Sequence, residues 1–186
     1  AQAAQTILRA SGSHDVTVEL TTGFLSDHYD PRGKVLRLSE SVYAGNSIAS
    51  VGVAAHEAGH AIQDAVGYAP LKLRGALVPV STIGSNLAWP LLMIGFIFMS
   101  QSLIMAGILF FTLAVLFQII TLPVEFNASS RALAALPAAG ILSESEVSGA
   151  RKVLSAAALT YVAAATAAVL QLLYFLMRAG LLSRDE

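Results

Sequence analysis

The sequence predicts a mostly helical α+β integral membrane protein, in which a small domain with a short β-sheet is joined to about three transmembrane helices. Two uncharged stretches carry this prediction: residues 75–124 contain no Asp, Glu, Lys or Arg over 50 positions, and residues 153–177 contain none over 25. A membrane-spanning helix needs about 20 mostly apolar residues. The first stretch therefore accommodates two spans and the second stretch one.

The composition supports a membrane protein and narrows its chemistry. Charged residues make up 12% of the chain, against about 25% in soluble domains, and 55% of the residues are hydrophobic. The formal net charge of −1 gives no reason to expect nucleic acid as a partner. Cysteine is absent, so disulfides and thiolate ligands are excluded, and any metal must be bound by histidines and carboxylates.

The first part of the chain has the pattern of a small water-facing domain. Residues 2–10 suit a short helix, and Val16–Leu20 has the alternation and composition of a strand. The turn at Asp30–Gly33 precedes Lys34–Leu38, whose alternating charged and apolar residues predict a half-exposed strand. Such a strand suggests a sheet edge along which an extended peptide could bind through its backbone.

A helix is predicted next, capped by Asn46 or Ser47 and stopped near Val66 by Gly67. Within it, His56 and His60 are four residues apart, which places both imidazoles on one face. Glu57 follows the first histidine directly. This is the H-E-x-x-H arrangement, in which zinc is the Lewis acid and the glutamate the general base. The other possibility is an exposed polar face without a metal.

The uncharged stretches predict membrane helices over about 79–99, 102–124 and 155–177, with the first two separated by a turn at 100–102. A separate helix is expected from Val124 to Leu136, ended by Pro137. Ser143 and Glu146 form a capping-box pattern that opens the helix leading into the last span.

A catalytic zinc site needs a third protein ligand, and Glu125 is the candidate. It follows a long apolar span directly, and an acid at the membrane boundary is costly unless it is paired or binds a metal. A membrane hairpin returns the chain to the side it left, so Glu125 can come back beneath the histidine helix. The alternative is an interfacial acid paired with Arg131.

Three motifs together resemble the YugP-type neutral zinc metallopeptidases of bacterial membranes. They are Val51–Gln63 with the following Tyr68-Ala-Pro70, Leu122–Ser129, and the segment from Asp27 to Ser39. The resemblance runs over nearly the whole chain. It implies zinc bound by His56, His60 and Glu125, with Glu57 as catalytic base. Because family members usually carry another apolar segment at the N-terminus, we also expect the natural chain to begin before Ala1.

The chain is also similar to the broader gluzincin peptidases of membranes, in which a Glu-x-x-Ala-Asp segment follows two spans. Here that segment ends in Ser129 where those peptidases have the Asp that orients a ligand histidine. Asn127 or Asp30 is a candidate for that orienting role. Arg131 and His28 are further candidates for supporting the ligands or binding substrate, although His28 also suits a plain turn residue.

The sequence therefore predicts a zincin-like domain over 1–74, a transmembrane hairpin over 75–124, a third-ligand helix and connecting helix over 125–152, a transmembrane helix over 153–177 and a tail over 178–186. The expected activity is Zn²⁺-dependent endopeptidase cleavage of protein or peptide substrates associated with the lipid bilayer. The alternatives are a membrane scaffold with structural zinc and a zinc hydrolase of a non-peptide amide.

The basic residues predict the orientation of the chain in a bacterial plasma membrane. Nine of the eleven Lys and Arg residues precede Val153, and only Arg178 and Arg184 follow the last span. Basic residues favour the cytoplasmic side of a membrane. We therefore expect the catalytic domain in the cytoplasm and the C-terminus outside.

Overall fold

The computed structural model describes residues 1–181; the rest of the predicted tail, residues 182–186, lies outside the described residues. Six helices and three strands follow one another along the chain. Their order is α1 (Gln2–Ala10), β1 (Thr17–Thr21), β2 (His28–Asp30), β3 (Val35–Ser39), α2 (Glu40–Tyr43), α3 (Ile48–Ala65), α4 (Ala69–Ile97), α5 (Gln101–Ala138) and α6 (Glu144–Arg178). The predicted fold class, a mostly helical α+β protein with membrane helices, is confirmed.

The chain divides into two compact units. The first consists of Ala1–Leu71 and Val124–Leu159, and the second of Lys72–Pro123 and Thr160–Glu186, described as far as Leu181. The helices α4, α5 and α6 each contribute residues to both units.

The first unit contains a three-stranded sheet with β3 at its centre. The strand β1 pairs with β3 in parallel, and β2 pairs with it in antiparallel fashion. The predicted half-exposed edge strand at Lys34–Leu38 is therefore wrong, because β3 is paired on both sides and four of its five residues are buried. Its charged residue Arg37 suggested exposure, but Arg37 forms ion pairs with Glu19 at 3.5 Å and Asp30 at 3.6 Å on the flanking strands.

An apolar core joins the sheet to the helices of this first unit. Ile7 of α1, Leu36 of β3 and Leu136 of α5 are among its fully buried large side chains. The contribution of α3 to this core is a row of alanines, which brings its backbone close to the surrounding segments. Because protein interiors are close-packed, the segments around these alanines are expected to fill the space beside α3 and to hold the helix in position.

The helix α3 begins and ends at the residues that its sequence predicts. The Ser47 hydroxyl accepts a hydrogen bond from the Ser50 amide at 3.1 Å, and this N-cap satisfies one of the free amides of the first turn. At the other end, Gly67 adopts a φ of +67° and its amide donates to the carbonyl of Asp64. The Tyr68 amide donates to the Gln63 carbonyl, which completes a Schellman motif.

A polar cluster attaches the sheet to the last turn of α3. Asp64 accepts hydrogen bonds from the Tyr29 hydroxyl at 2.8 Å and from the Lys34 ammonium at 2.6 Å. Burial of the phenol, together with the hydrogen bond to Asp64, raises the pKa of Tyr29 above its ordinary value. Tyr29 therefore remains a proton donor to Asp64 throughout the neutral range.

The second unit is built from long apolar helices. Three helices are long and apolar enough to cross a membrane: α4, α5 and α6. Leu92, Ile104, Ile108 and Phe175 form the buried cluster of this unit. A break between the first two spans is present, but it lies at residues 98–100 and not at the predicted 100–102, because α5 already begins at Gln101. Met99 adopts a φ of +50° there, and the Ser100 amide donates to the Gly95 carbonyl.

The helices extend further than the sequence pattern predicts. The helix α4 begins at Ala69, ten residues before the predicted start. A separate helix over 124–136 is wrong, because α5 continues without a break through Pro123 and past Pro137 to Ala138. Proline is tolerated inside membrane helices where neighbouring groups satisfy the backbone carbonyl that loses its hydrogen bond. Ending the helix there would expose further backbone groups to lipid, which costs more free energy than the proline does. The capping box predicted at the start of α6 is confirmed by hydrogen bonds between Ser143 and Glu146 in both directions.

Candidate metal centre

Two histidines on one face of α3 form the first half of the site. His56 and His60 are one helical turn apart, and their ring centroids are 4.7 Å apart with the rings nearly perpendicular. His60 is buried and His56 is partly buried. The four-residue spacing in the sequence therefore places both imidazoles on one face of the helix, as predicted.

Glu125 of α5 completes a cluster of three possible ligands. Its Oε2 lies 3.1 Å from Nε2 of His56 and 3.7 Å from Nε2 of His60. One ligand atom from each of the three residues lies within 4.8 Å of the other two. Two imidazole nitrogens and one carboxylate oxygen are the donor set of a catalytic zinc site of the His₂Glu type.

The cluster requires α3 and α5 to approach each other closely, and Gly59 permits this approach. Gly59 lies between the two histidines, and a β-carbon at this position would overlap the backbone carbonyl oxygen of Ala128. Ala128 itself is fully buried, three residues after Glu125. The lack of a side chain at Gly59 therefore lets the backbone of α5 lie directly against α3.

A side chain binds the Nδ1 atom of each of the two histidines. The Nε2 atoms of both histidines face Glu125. Nδ1 of His56 lies 3.0 Å from the Ser129 hydroxyl, and Nδ1 of His60 lies 3.0 Å from Oε1 of Gln63. An amide oxygen can only accept, so His60 carries its proton on Nδ1 and Nε2 can bind a metal. Partners of this kind fix the tautomer and orientation of ligand histidines.

Gln63 is the site residue that the sequence analysis did not identify. Its side chain is fully buried, and its amide nitrogen donates to the Val124 carbonyl at 2.8 Å and to Oδ1 of Asn127 at 3.0 Å. The available signal was its position three residues after His60, on the same helical face. A polar side chain there must find partners if it is buried, and here it connects α3 to α5.

Asn127 and Arg131 lie one step further from the histidines. Asn127 contacts Gln63 and also accepts a hydrogen bond from Nε of Arg131 at 2.7 Å. The guanidinium of Arg131 lies 5.9 Å from the centre of the Tyr68 ring. Arg131 was the alternative partner proposed for Glu125, but its observed contacts are with Asn127 and Tyr68.

Glu57 lies on α3 next to His56 and is 8% exposed. Its carboxylate makes no hydrogen bond or ion pair with any residue in the described part of the chain, 1–181. No side-chain oxygen within residues 1–181 is both fully buried and without a partner, so the Glu57 carboxylate reaches solvent. Such a group is suited to accept a proton from a water molecule at the adjacent cluster.

The electrostatic environment of the cluster favours a cation. Burial alone lowers the pKa of His60, but the hydrogen bond to Glu125 and the charges of Glu57 and Glu125 outweigh it, so this pKa lies above its ordinary value. Surroundings that stabilise a protonated imidazole also stabilise a bound metal cation. The residues present therefore fit a zinc ion in both donor type and charge.

Two of the predicted support residues lie elsewhere in the first unit. His28 is exposed, with Nδ1 2.8 Å from the Ser26 carbonyl and Nε2 3.4 Å from Nη1 of Arg37. Asp30 accepts hydrogen bonds from the backbone amides of Arg32 and Gly33, which lowers its pKa. Within residues 1–181, neither side chain contacts His56, His60 or Glu125.

The fold and the cluster define the class of protein, and comparison with known proteins agrees. Residues 1–180 match the profile of the family described as "Putative neutral zinc metallopeptidase", and the chain belongs to this family. It is 50% identical over 186 residues to "Putative membrane protease YugP" of Bacillus subtilis (strain 168), covering 100% of this chain and 82% of that protein. No solved structure matches the chain.

Proposed function

We propose that this protein is a membrane-embedded zinc endopeptidase that hydrolyses peptide bonds, with Glu57 as the general base. The observation that carries the proposal is the convergence of His56, His60 and Glu125 next to Glu57, a largely buried residue whose carboxylate has no hydrogen-bond or ion-pair partner within residues 1–181. A structural zinc site in a membrane scaffold needs no such carboxylate. The family membership and the name of the Bacillus subtilis relative support the same activity.

We propose His56, His60 and Glu125 as the zinc ligands. Zinc bound there supplies a Lewis acid that polarises a carbonyl group and lowers the pKa of water to about 7. The Nδ1 atoms of the two histidines are held by Ser129 and Gln63, so the histidines need little reorganisation to present Nε2. Three protein ligands leave the fourth position of a tetrahedral site for water or substrate.

The reaction that these residues support is addition of water to a peptide carbonyl. Glu57 accepts a proton from the attacking water as its oxygen bonds to the carbonyl carbon. The C–N bond then breaks, and Glu57 delivers the proton to the leaving amine nitrogen. One residue thus acts first as base and then as acid, and the carboxylate is regenerated.

The substrates we propose are protein or peptide chains associated with the membrane. Three helices of this chain can cross a bilayer, and the candidate ligand Glu125 lies on one of them, α5. Binding of an extended substrate along the sheet is restricted to β1 or β2, because both sides of β3 are already paired. We also propose that the first unit faces the cytoplasm of a bacterial plasma membrane.

Replacing the base and a ligand separately tests the proposal. The purified protein in detergent is incubated with unfolded casein, and its zinc content is measured by atomic absorption. We expect Glu57→Gln to retain zinc and to lose about 10²–10⁴-fold in cleavage rate, the contribution of a general base. Glu125→Ala is expected to lose both zinc and activity. The exposed Glu144→Gln serves as a control for loss of a carboxylate and should behave like wild type.

Three outcomes oppose the proposal. Equal cleavage by wild type and Glu57→Gln removes Glu57 as base. Unchanged zinc content in Glu125→Ala removes Glu125 from the ligand set. A zinc-loaded wild type that leaves casein and other unfolded proteins intact opposes a general endopeptidase and favours the structural-zinc or non-peptide alternative.

A further inference from the structure

A groove of about 600 Å³ lies in the first unit between the second half of α5 and the first half of α6. Its walls are mostly apolar, and several of its side chains are exposed: Phe126 is 49% and Leu159 is 64% exposed. The size is within the range of small-molecule sites. Large apolar side chains lining a groove indicate a ligand with an apolar part.

One of the residues that line this groove is basic. Arg151 lines it, is exposed, and forms no ion pair or hydrogen bond with any residue between positions 1 and 181. Ser130 and Ser155 contribute hydroxyl groups to the same groove. A free guanidinium beside hydroxyl groups suits an anionic group such as a phosphate, to which arginine binds in bidentate fashion.

The order of residues along α6 matches the layers of a lipid leaflet. Arg151 precedes the uncharged stretch 153–177 by two residues, so it lies where a membrane helix meets the headgroups. The apolar groove residues Leu154, Ala158 and Leu159 follow within that stretch. A phosphate bound at Arg151 would therefore be followed by an acyl chain along Leu154–Leu159.

The groove is separate from the side of the metal cluster that faces a substrate. Ser129 lines the groove, and its hydroxyl binds the Nδ1 edge of His56. The candidate metal position is at the opposite nitrogen, Nε2, which faces Glu125. None of His56, Glu57, His60 and Glu125 lines the groove.

We propose that this groove is a binding site for one anionic phospholipid, with its phosphate at Arg151 and an acyl chain along Phe126, Leu154 and Leu159. Basic pockets between membrane helices bind anionic headgroups in this way. The lipid would occupy a surface beside Ser129 and so contact the residue that orients His56. Lipid binding itself does not depend on the peptidase reaction.

Native mass spectrometry of the full chain in detergent, titrated with phosphatidylglycerol, tests the phosphate contact. We expect Arg151→Gln to weaken binding of the first phosphatidylglycerol by about fivefold or more, the effect of one basic contact near a headgroup. Lys152→Gln is the matched control: it removes the same charge from the next residue, which does not line the groove. Equal losses in the two variants, or no loss in either, overturn the site.

A second pair of variants tests the acyl-chain part without changing the charge. Ser155→Phe places a ring in the groove, whereas Ala156→Phe places it at the adjacent exposed position outside the groove. We expect only Ser155→Phe to weaken phosphatidylglycerol binding. Glycerol phosphate, a headgroup without chains, is expected to bind far more weakly. If glycerol phosphate binds as tightly as the lipid, the ligand is a free phosphate ester and the lipid proposal is wrong.

Discussion

The orientation of the two histidines depends on side chains outside the H-E-x-x-H segment. Ser129 binds Nδ1 of His56, and Gln63 binds Nδ1 of His60 while its own amide donates to α5. Gln63 therefore does two things: it fixes the tautomer of a candidate ligand and attaches the ligand's helix to the helix of Glu125. We regard it as a positioning residue, because it acts through His60.

Replacement of Gln63 by methionine preserves its length and removes all three hydrogen bonds. We expect zinc affinity to fall by about 10–100-fold, the usual effect of losing a partner of a ligand histidine. Competition with a chelator at constant pH measures this affinity. Gln5→Met, at an exposed position of α1, controls for the side-chain exchange. If Gln63→Met binds zinc as tightly as wild type, the hydrogen bond to His60 has no positioning role.

The packing of α3 against α5 decides whether the ligands can meet. Glu125 and Ser129 are four residues apart on α5, and both contact His56 on α3. Gly59 and Ala128 are in close contact between the two helices, and no β-carbon fits at position 59. The glycine in this motif thus serves the helix contact, whereas glycine inside a helix ordinarily lowers stability.

Two glycine-to-alanine changes on α3 separate the packing effect from helix propensity. At Gly52 an added β-carbon would lie 3.8 Å from the Ala150 β-carbon, which is ordinary contact, so Gly52→Ala is expected to be neutral or to stabilise by up to about 1 kcal/mol. Gly59→Ala is expected to destabilise by about 1–3 kcal/mol, because the helices must separate. It should also lower zinc affinity. Denaturant unfolding and chelator competition measure both effects; equal behaviour of the two variants contradicts this account.

Across the chain, the distribution of charge and apolar surface is that of a membrane protein. Three helices are long and apolar enough to cross a bilayer, and large hydrophobic side chains on them are exposed, such as Leu109 at 63% and Leu170 at 61%. In water such a surface would promote association. In a bilayer it is the surface that contacts lipid.

The absence of cysteine from the sequence allows a direct test of the proposed orientation. Single cysteines are introduced at the exposed positions His14, Met99 and Ser145, and intact cells are treated with a maleimide that cannot cross the membrane. We expect labelling only at position 99, because the positive-inside tendency predicts that the segments carrying positions 14 and 145 lie in the cytoplasm. The cysteine-free protein and permeabilised cells are the controls. Labelling at positions 14 and 145 but not at 99 reverses the orientation.

Features that depend on neighbouring residues were readable directly from the amino-acid order. The uncharged stretches predicted the apolar helices, the Ser47 and Gly67 signals predicted both ends of α3, and the four-residue spacing placed His56 and His60 on one face. These features arise within one helix, whose geometry is regular. The helix boundary predicted at Val124 is absent, because α5 continues through Pro123, and proline is tolerated in a long membrane helix.

Features that depend on distant residues required the tertiary structure. The contact of His56 with Glu125 joins residues 69 positions apart, and that of Gln63 with the Val124 carbonyl joins residues 61 apart. The central position of β3 depends in the same way on which strands flank it. No local pattern encodes such pairings, because they are fixed by packing of whole elements around Gly59 and the alanines of α3. The sequence therefore determined the histidine pair and the membrane character, and the tertiary structure decided which side chains surround that pair.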